Sequence, residues 1–271
     1  ITNIKPKFSH NMDNQAQTPS PGTAGAQSLR RALQLLRLLA DHHEDGITLT
    51  AVMQASALER STAHRLLSCL VEEQFAERDP DTKAYRLGIE AMQMGFSSMR
   101  RVPLVDSLRP LMQKLARMSG DTVFLVIRQG DYCLCLHREE GHFPVKVFTT
   151  DIGGRRLLGL GAGGLALMAE LADAEVARIF ERHADEYAQA GFSRQRLLQA
   201  VRRTRKAGHA DIEDTLTVGV SGVGCRFEAS ASTLAAISFG AISSRLTPAR
   251  RTQMAQLLQE QLALHWQGGR G

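Results

Sequence analysis

The chain has 271 residues, 43% of them hydrophobic and 23% charged, and a net charge of +5 at neutral pH. The length exceeds one comfortable hydrophobic core and predicts about two domains, while the composition excludes collagen-like, mucin-like and globally disordered chains. The longest apolar run, residues 157–171, falls short of the ~20 residues of a membrane span, and the opening residues lack the apolar core and cleavage site of a secretory signal. The expectation is a cytoplasmic protein with no membrane partner. The positive balance invites a polyanion, yet residues 1–102 carry +1 and residues 103–271 carry +4, so bulk charge locates no nucleic-acid surface. Cys69 and Cys225 stand alone, and Cys133 and Cys135 lie two apart along a strand, too far for an easy disulfide. The nine histidines are scattered apart from His42 and His43, which gives no metal-ligand spacing. No metal and no cofactor are expected.

Residues 1–27 are rich in Gln, Asn, Thr, Ser, Pro and Gly and are read as a disordered tail. From Ser28, a candidate N-cap, SLRRALQLLRLLADHH predicts a helix with Leu29, Leu33, Leu36 and Ala40 on its apolar face. Thr48 then caps a short helix, LTAVMQAS, with Leu49, Val52 and Met53 turned inward. After Ala57 and Leu58, ERSTAHRLLSCLVEEQ places Ala63, Leu66, Leu67, Leu70 and Val71 at helical spacing. Two short strands, FAER and KAYRLG, follow around a turn built on Asp79 and Pro80. Three helices and a two-stranded ribbon over residues 28–88 describe a winged helix-turn-helix. Residues 89–103 predict a connecting helix with Ile89, Met92, Phe96 and Met99 along one seam, placed either against another helix or against its own domain.

Residues 104–271 read as a mixed domain. A helix around Pro110 closes at Gly120, and strands DTVFLVIRQ and YCLCLHRE join at Gly130 and Asp131. A third strand, FPVKVFTT, is expected over residues 143–150. A Gly-rich segment follows, then helices over 173–187 and 193–207, strands near 209–214, 217–228 and 232–242, and a last helix capped by Thr247 with Pro248 at its first position.

Two constellations carry chemistry. The second helix of a helix-turn-helix enters the major groove, and here its outer face offers Arg60, Ser61, Thr62, His64, Arg65 and Ser68. A solvated surface helix presents a similar face; the wing, with Arg78, Lys83 and Arg86, turns the reading toward DNA. In the second domain Gly159, Gly161 and Gly164 fit GxGxxG, but the preceding strand belongs to a run of hairpins, so a dinucleotide site is not expected. The glycines admit a ligand to backbone amides at the start of a helix near Gly163, a place for a carboxylate, or else let helix pack closely on sheet. Of the adjacent Arg155 and Arg156, Arg155 is favoured as a carboxylate partner. Asp211, Glu213 and Asp214 assemble with no nucleophile, base and oxyanion donor, so enzymatic activity is not expected, although an acid-processing enzyme using residues 209–225 remains the competing class and a protein-interaction adaptor a third.

From Ser28 to about His265 the chain resembles the IclR family of bacterial transcriptional regulators, through ITLTAVMQASALERSTAHRLLSCL, the wing ending YRLG, GLGAGGLALMA and AAISFG. The resemblance implies an α+β protein with an N-terminal winged helix-turn-helix, a linker helix that helps dimerise, and a C-terminal GAF-like domain that binds a small organic or aromatic acid effector. It places Gly161 and Ala162 in the effector loop and Ser221, Gly222 and Ser238 on facing strands. The family commonly has Gly where this chain has Ala57, so a positive φ there would strain the turn. Its frequent Cys aligns with Gly222, so the effector's identity does not transfer. The expected partners are a palindromic double-stranded operator, the effector and a second copy of the chain, with tetramers left open.

Overall fold

The first helix, α1 (Gln27–Asp41), starts one residue before the expected cap: Ala26 occupies the N-cap position, and Ser28 falls inside the first turn. The computed structural model describes residues 25–99, 102–215, 217–230 and 233–268. Apart from residues 25–27, the expected tail lies outside them. Two units are distinguished, and among the described residues the division falls between Val102 and Pro103.

In the first unit, α2 (Leu49–Ser56) is capped by Thr48, whose hydroxyl accepts the Ala51 amide at 3.3 Å. Helix α3 (Arg60–Glu72) follows after a two-residue turn and Glu59 at the N-cap. Strands β1 (Ala76–Arg78) and β2 (Tyr85–Leu87) pair antiparallel, with Glu77 opposite Arg86. Their turn is built locally, because Asp79 Oδ1 accepts the amides of Asp81 at 3.0 Å and Thr82 at 2.7 Å. The core is Leu35, Leu38 and Leu39 from α1, Val52 from α2, Ala63, Leu67 and Leu70 from α3, and Tyr85 from the wing. The α3 residues are those the periodicity predicts, but the apolar arc of α1 is broad and only one flank of it, Leu35, Leu38 and Leu39, is buried. Leu29 and Leu33, expected inward, are exposed. Helix α4 (Ile89–Met99) also leaves Ile89, Met92 and Phe96 exposed, so these seam residues do not pack into their own unit's core.

In the second unit, α5 (Pro103–Ser119) runs unbroken through Pro110, which forgoes one backbone donor without ending the helix. Six antiparallel strands follow: β3 (Thr122–Gln129), β4 (Tyr132–Glu139), β5 (Arg155–Leu157), β6 (Ala210–Glu213), β7 (Val220–Ser230) and β8 (Thr233–Ile242). They lie side by side in the order β5, β4, β3, β8, β7, β6. The strand expected over residues 143–150 is irregular chain, and the short β5 takes the place beside β4. Helix α6 (Ala162–Met168) covers one face of the sheet, joined by α7 (Asp173–Arg182), α8 (Ala184–Gln189) and α9 (Arg194–Ala207). The expected single helix over 173–187 breaks at His183, whose ring reaches back to Asp131 at 2.9 Å. The opposite face receives α5 and α10 (Pro248–Gly268), the latter capped by Thr247 as predicted. Buried Asp121 at the start of β3 holds Arg245 at 2.5 Å and Arg250 at 2.9 Å, tying strand to helix.

Helix α6 lies close enough on the sheet that side chains are excluded between them. A Cβ at Gly163 would fall 2.7 Å from Val126 Cγ2, and one at Gly224 would fall 2.8 Å from the Ala162 carbonyl. The packing role weighed for the glycines at the helix start therefore holds at Gly163. Among the described residues no helix is long and apolar enough to cross a membrane, and no cluster of side chains fits a metal ion.

Candidate functional site

Helix α2 ends at Ala57 with φ +53° and ψ +29°, the left-handed conformation. That residue turns the chain so that α3 begins three positions later, its inner stripe held by Ala63, Leu67 and Leu70. The inner stripe fixes the outer one: Arg60, Ser61, His64 and Arg65 are exposed, with Thr62 and Ser68 half-buried beside them. The first turn carries no acidic residue, and neither Arg60 nor Arg65 forms an ion pair among the described residues. The result is a helix N-terminus with two uncommitted guanidinium groups and several small donors, complementary to phosphates and to base edges.

The wing supplies less than the sequence suggests. Arg78 is exposed and lies over the Tyr85 ring, 5.5 Å from its centroid. Lys83 donates to the Pro80 carbonyl inside the turn. Arg86 donates to the Asp45 carbonyl at 3.0 Å and pairs with Asp79 at 3.5 Å, so it fastens the wing to the turn that follows α1.

The second unit contains a cavity beneath the loop that enters α6. It offers about 60 Å³ to the centres of water-sized molecules, in a measure where one water needs roughly 10–15 Å³. Its walls come from β3 (Phe124, Val126), β4 (Cys133), the chain before β5 (Thr149, Thr150), Arg156, the α6 entry (Gly161 to Gly164), Ile212, the turn into β7, and Ser238. Of the predicted effector residues, Gly161, Ala162, Ser221, Gly222 and Ser238 line it.

Two of the predicted contacts change in detail. Arg155 is exposed, over the Tyr132 ring at 5.2 Å, while Arg156 lines the cavity. The two-residue period of β5 sends neighbouring side chains to opposite faces, which is why the favoured arginine lies outside the cavity and its neighbour lines it. The same period separates Ser221 from Gly222. A Cβ at Gly222 would point at Ala162, 3.2 Å away, so the Ser221 side chain lies on the other face. There its hydroxyl meets Ser243 Oγ at 2.9 Å, and Ser243 in turn donates to Asp214 at 2.7 Å. Ser221 contributes main chain only.

Among the described residues Arg156 is the one cation in the lining. One of its Nη atoms donates to the Thr149 carbonyl, and no carboxylate pairs with it among the described residues. Burial pushes its pKa down from the ordinary arginine value. Burial likewise pushes the adjacent Cys133 and Cys135 thiols up to about 11, so both are neutral at pH 7. Sequence reasoning missed Arg156, Thr149, Thr150 and Ile212; the strand alternation at Arg155 and Arg156 was the available signal for the first.

A model of the IclR helix-turn-helix domain matches residues 28–80, and a model of the bacterial transcriptional regulator IclR C-terminal region matches residues 96–263. The chain belongs to the IclR family. It is 27% identical over 248 residues to the transcriptional repressor IclR of Escherichia coli K12, covering 90% of both chains. It is 35% identical over 157 residues to the HTH-type transcriptional regulator BhcR of Paracoccus denitrificans, a match spanning 58% of this chain and 55% of that relative. The fold matches that of an IclR-family transcriptional regulator from Brucella abortus, with a TM-score of 0.72 at 20% identity over 86% of this chain and 91% of that one. It also matches an IclR homologue from Microbacterium hydrocarbonoxydans solved with 4-hydroxybenzoate, with a TM-score of 0.63 at 17% identity over 86% and 95%. As an IclR-family chain it falls among DNA-binding transcriptional regulators, with the α3 face in the region matched as helix-turn-helix and the cavity in the region matched as C-terminal.

Proposed function

We propose that this chain acts as a dimeric regulator that binds a palindromic operator through α3 and alters that binding when a small organic acid enters the cavity of its GAF-like second unit, without turning the acid over. The observation that carries the reading is the outer face of α3, where Arg60 and Arg65 stand exposed and form no ion pair among the described residues, on a helix whose inner stripe is locked into the core. The wing beside it adds Arg78 as a backbone contact.

The sensor half rests on a mostly apolar cavity lined by a cation. The 4-hydroxybenzoate in the Microbacterium homologue is an organic acid, in keeping with that chemistry. The segment that an enzyme would use supports sensing instead. Cys225 is buried with its thiol pushed up to about 12, and Asp211 and Glu213 are both held by Arg251, at 2.7 and 2.8 Å. Exposed Leu29 and Leu33 on α1 and Ile89, Met92 and Phe96 on α4 supply apolar surface for a second copy. The effector acts by favouring one arrangement of the paired DNA-binding units, since a ligand of equal affinity for both shifts nothing.

Selection of bound fragments from random duplex DNA tests the reading. The expected product is an inverted repeat with half-site centres about one helical turn or a multiple apart. Failure to enrich any sequence, at low as well as physiological salt, contradicts it.

A further inference from the structure

The residues around the cavity also define its ligand more narrowly than a small acid. Helix α6 has only seven residues and lends little field to the cavity, so the charge there is that of Arg156. Its guanidinium has a neutral carbonyl as its hydrogen-bond partner and two neutral thiols beside it. Among the described residues no Asp or Glu lines the cavity. A half-buried cation left in that state calls for an anion.

We infer that Arg156 anchors the single carboxylate of a monocarboxylic acid, and that the remaining walls select against a second carboxylate. Away from Arg156 the lining consists of Phe124, Val126 and Ile212 together with hydroxyls such as Ser238. Ser238 Oγ lies 3.3 Å from the Cβ position of Gly163 and has no hydrogen-bond partner among the described residues. These groups solvate an apolar body with one or two neutral polar substituents. A second carboxylate would lose its water and gain no cation in return. Gly161 stands at the anchor. Its φ of −123° suits any residue, and an added Cβ would sit 3.4 Å from Arg156 Nη1, so larger side chains crowd the guanidinium without straining the backbone.

This inference rests on the small-acid half of the proposed function. The test is calorimetric titration of the full chain with four matched pairs: acetate and malonate, propionate and succinate, lactate and malate, benzoate and phthalate. At least one monocarboxylate should bind, with its dicarboxylate partner at least tenfold weaker. Arg156→Gln should lose at least tenfold in affinity, and Arg156→Lys should recover part of it. Gly161→Val, with an unchanged melting temperature, should lose binding as well, and it serves as the anchor test if Arg156→Gln does not fold. A dicarboxylate that binds as tightly as its partner, or a monocarboxylate whose affinity is unchanged in both variants, overturns the inference and leaves the small-acid sensor standing. Binding of none of the eight acids overturns the sensor reading too, while operator selection judges the DNA reading separately.

Discussion

Ala57 holds the left-handed conformation that glycine adopts without penalty, with φ +53°. The Cβ of an L-residue costs roughly 1–2 kcal/mol there, partly offset by the greater chain entropy that glycine loses on folding. Ala57→Gly is therefore expected to stabilise the first unit by about 0.5–1 kcal/mol, read as a rise in its urea midpoint with an unchanged slope; a fall would mean that the alanine methyl is packed to advantage. This strain was legible through the resemblance to a family that commonly has Gly where this chain has Ala57. The choice between Arg155 and Arg156 was not, since it depends on which face of β5 meets the cavity, and that is set by pairing of Cys133 with Arg156 across strands. Arg86 was misjudged for a similar reason: its partner carbonyl, at Asp45, is 41 positions away and comes from another element.

Elements with one narrow apolar stripe were readable, and those with a broad one or none were not. Helix α3 buries the residues its spacing predicts, whereas the apolar arc of α1 is broad and tertiary packing chose one flank of it. Residues 143–150 alternate like a strand, yet their neighbourhood on β4 is taken by β5. The break between α7 and α8 comes with a polar network that single-element periodicity does not report: Asp131 accepts two bonds from Arg182, both at 2.8 Å, and meets the His183 ring at 2.9 Å. Burial alone would raise the Asp131 pKa, but the Arg182 and His183 bonds outweigh it and hold the carboxyl below its ordinary value of 3.8. A depressed carboxylate contributes its stability above that ordinary value and loses it as pH falls through the folded one. Asp131→Asn should accordingly lower the melting temperature at pH 7, and the gap from the parent should shrink as pH drops below 3.8. A gap that is constant with pH would assign the loss to packing rather than charge.

Across the whole molecule, the two-domain plan and the DNA-binding class could be read from residue order, because each unit keeps its own core and its own periodicities. The cavity could be anticipated only as a cluster of glycines, since its walls come from strands and loops spread over residues 124–240. A dimeric regulator needs its exposed α4 seam covered. Phe96→Glu combined with Met92→Glu should shift the sedimenting species from dimer to monomer and weaken operator binding, while the isolated chain melts unchanged; a persistent dimer would move the interface elsewhere. The account depends above all on α3 reading duplex DNA. The most direct measurement is the affinity of the parent and of Arg65→Ala for the selected operator and for random duplex, each at two salt concentrations. The parent should prefer the operator and bind both duplexes more weakly as salt rises, and Arg65→Ala should lose about 1–3 kcal/mol on the operator. Equal affinity of parent and variant for both duplexes at both concentrations would contradict it.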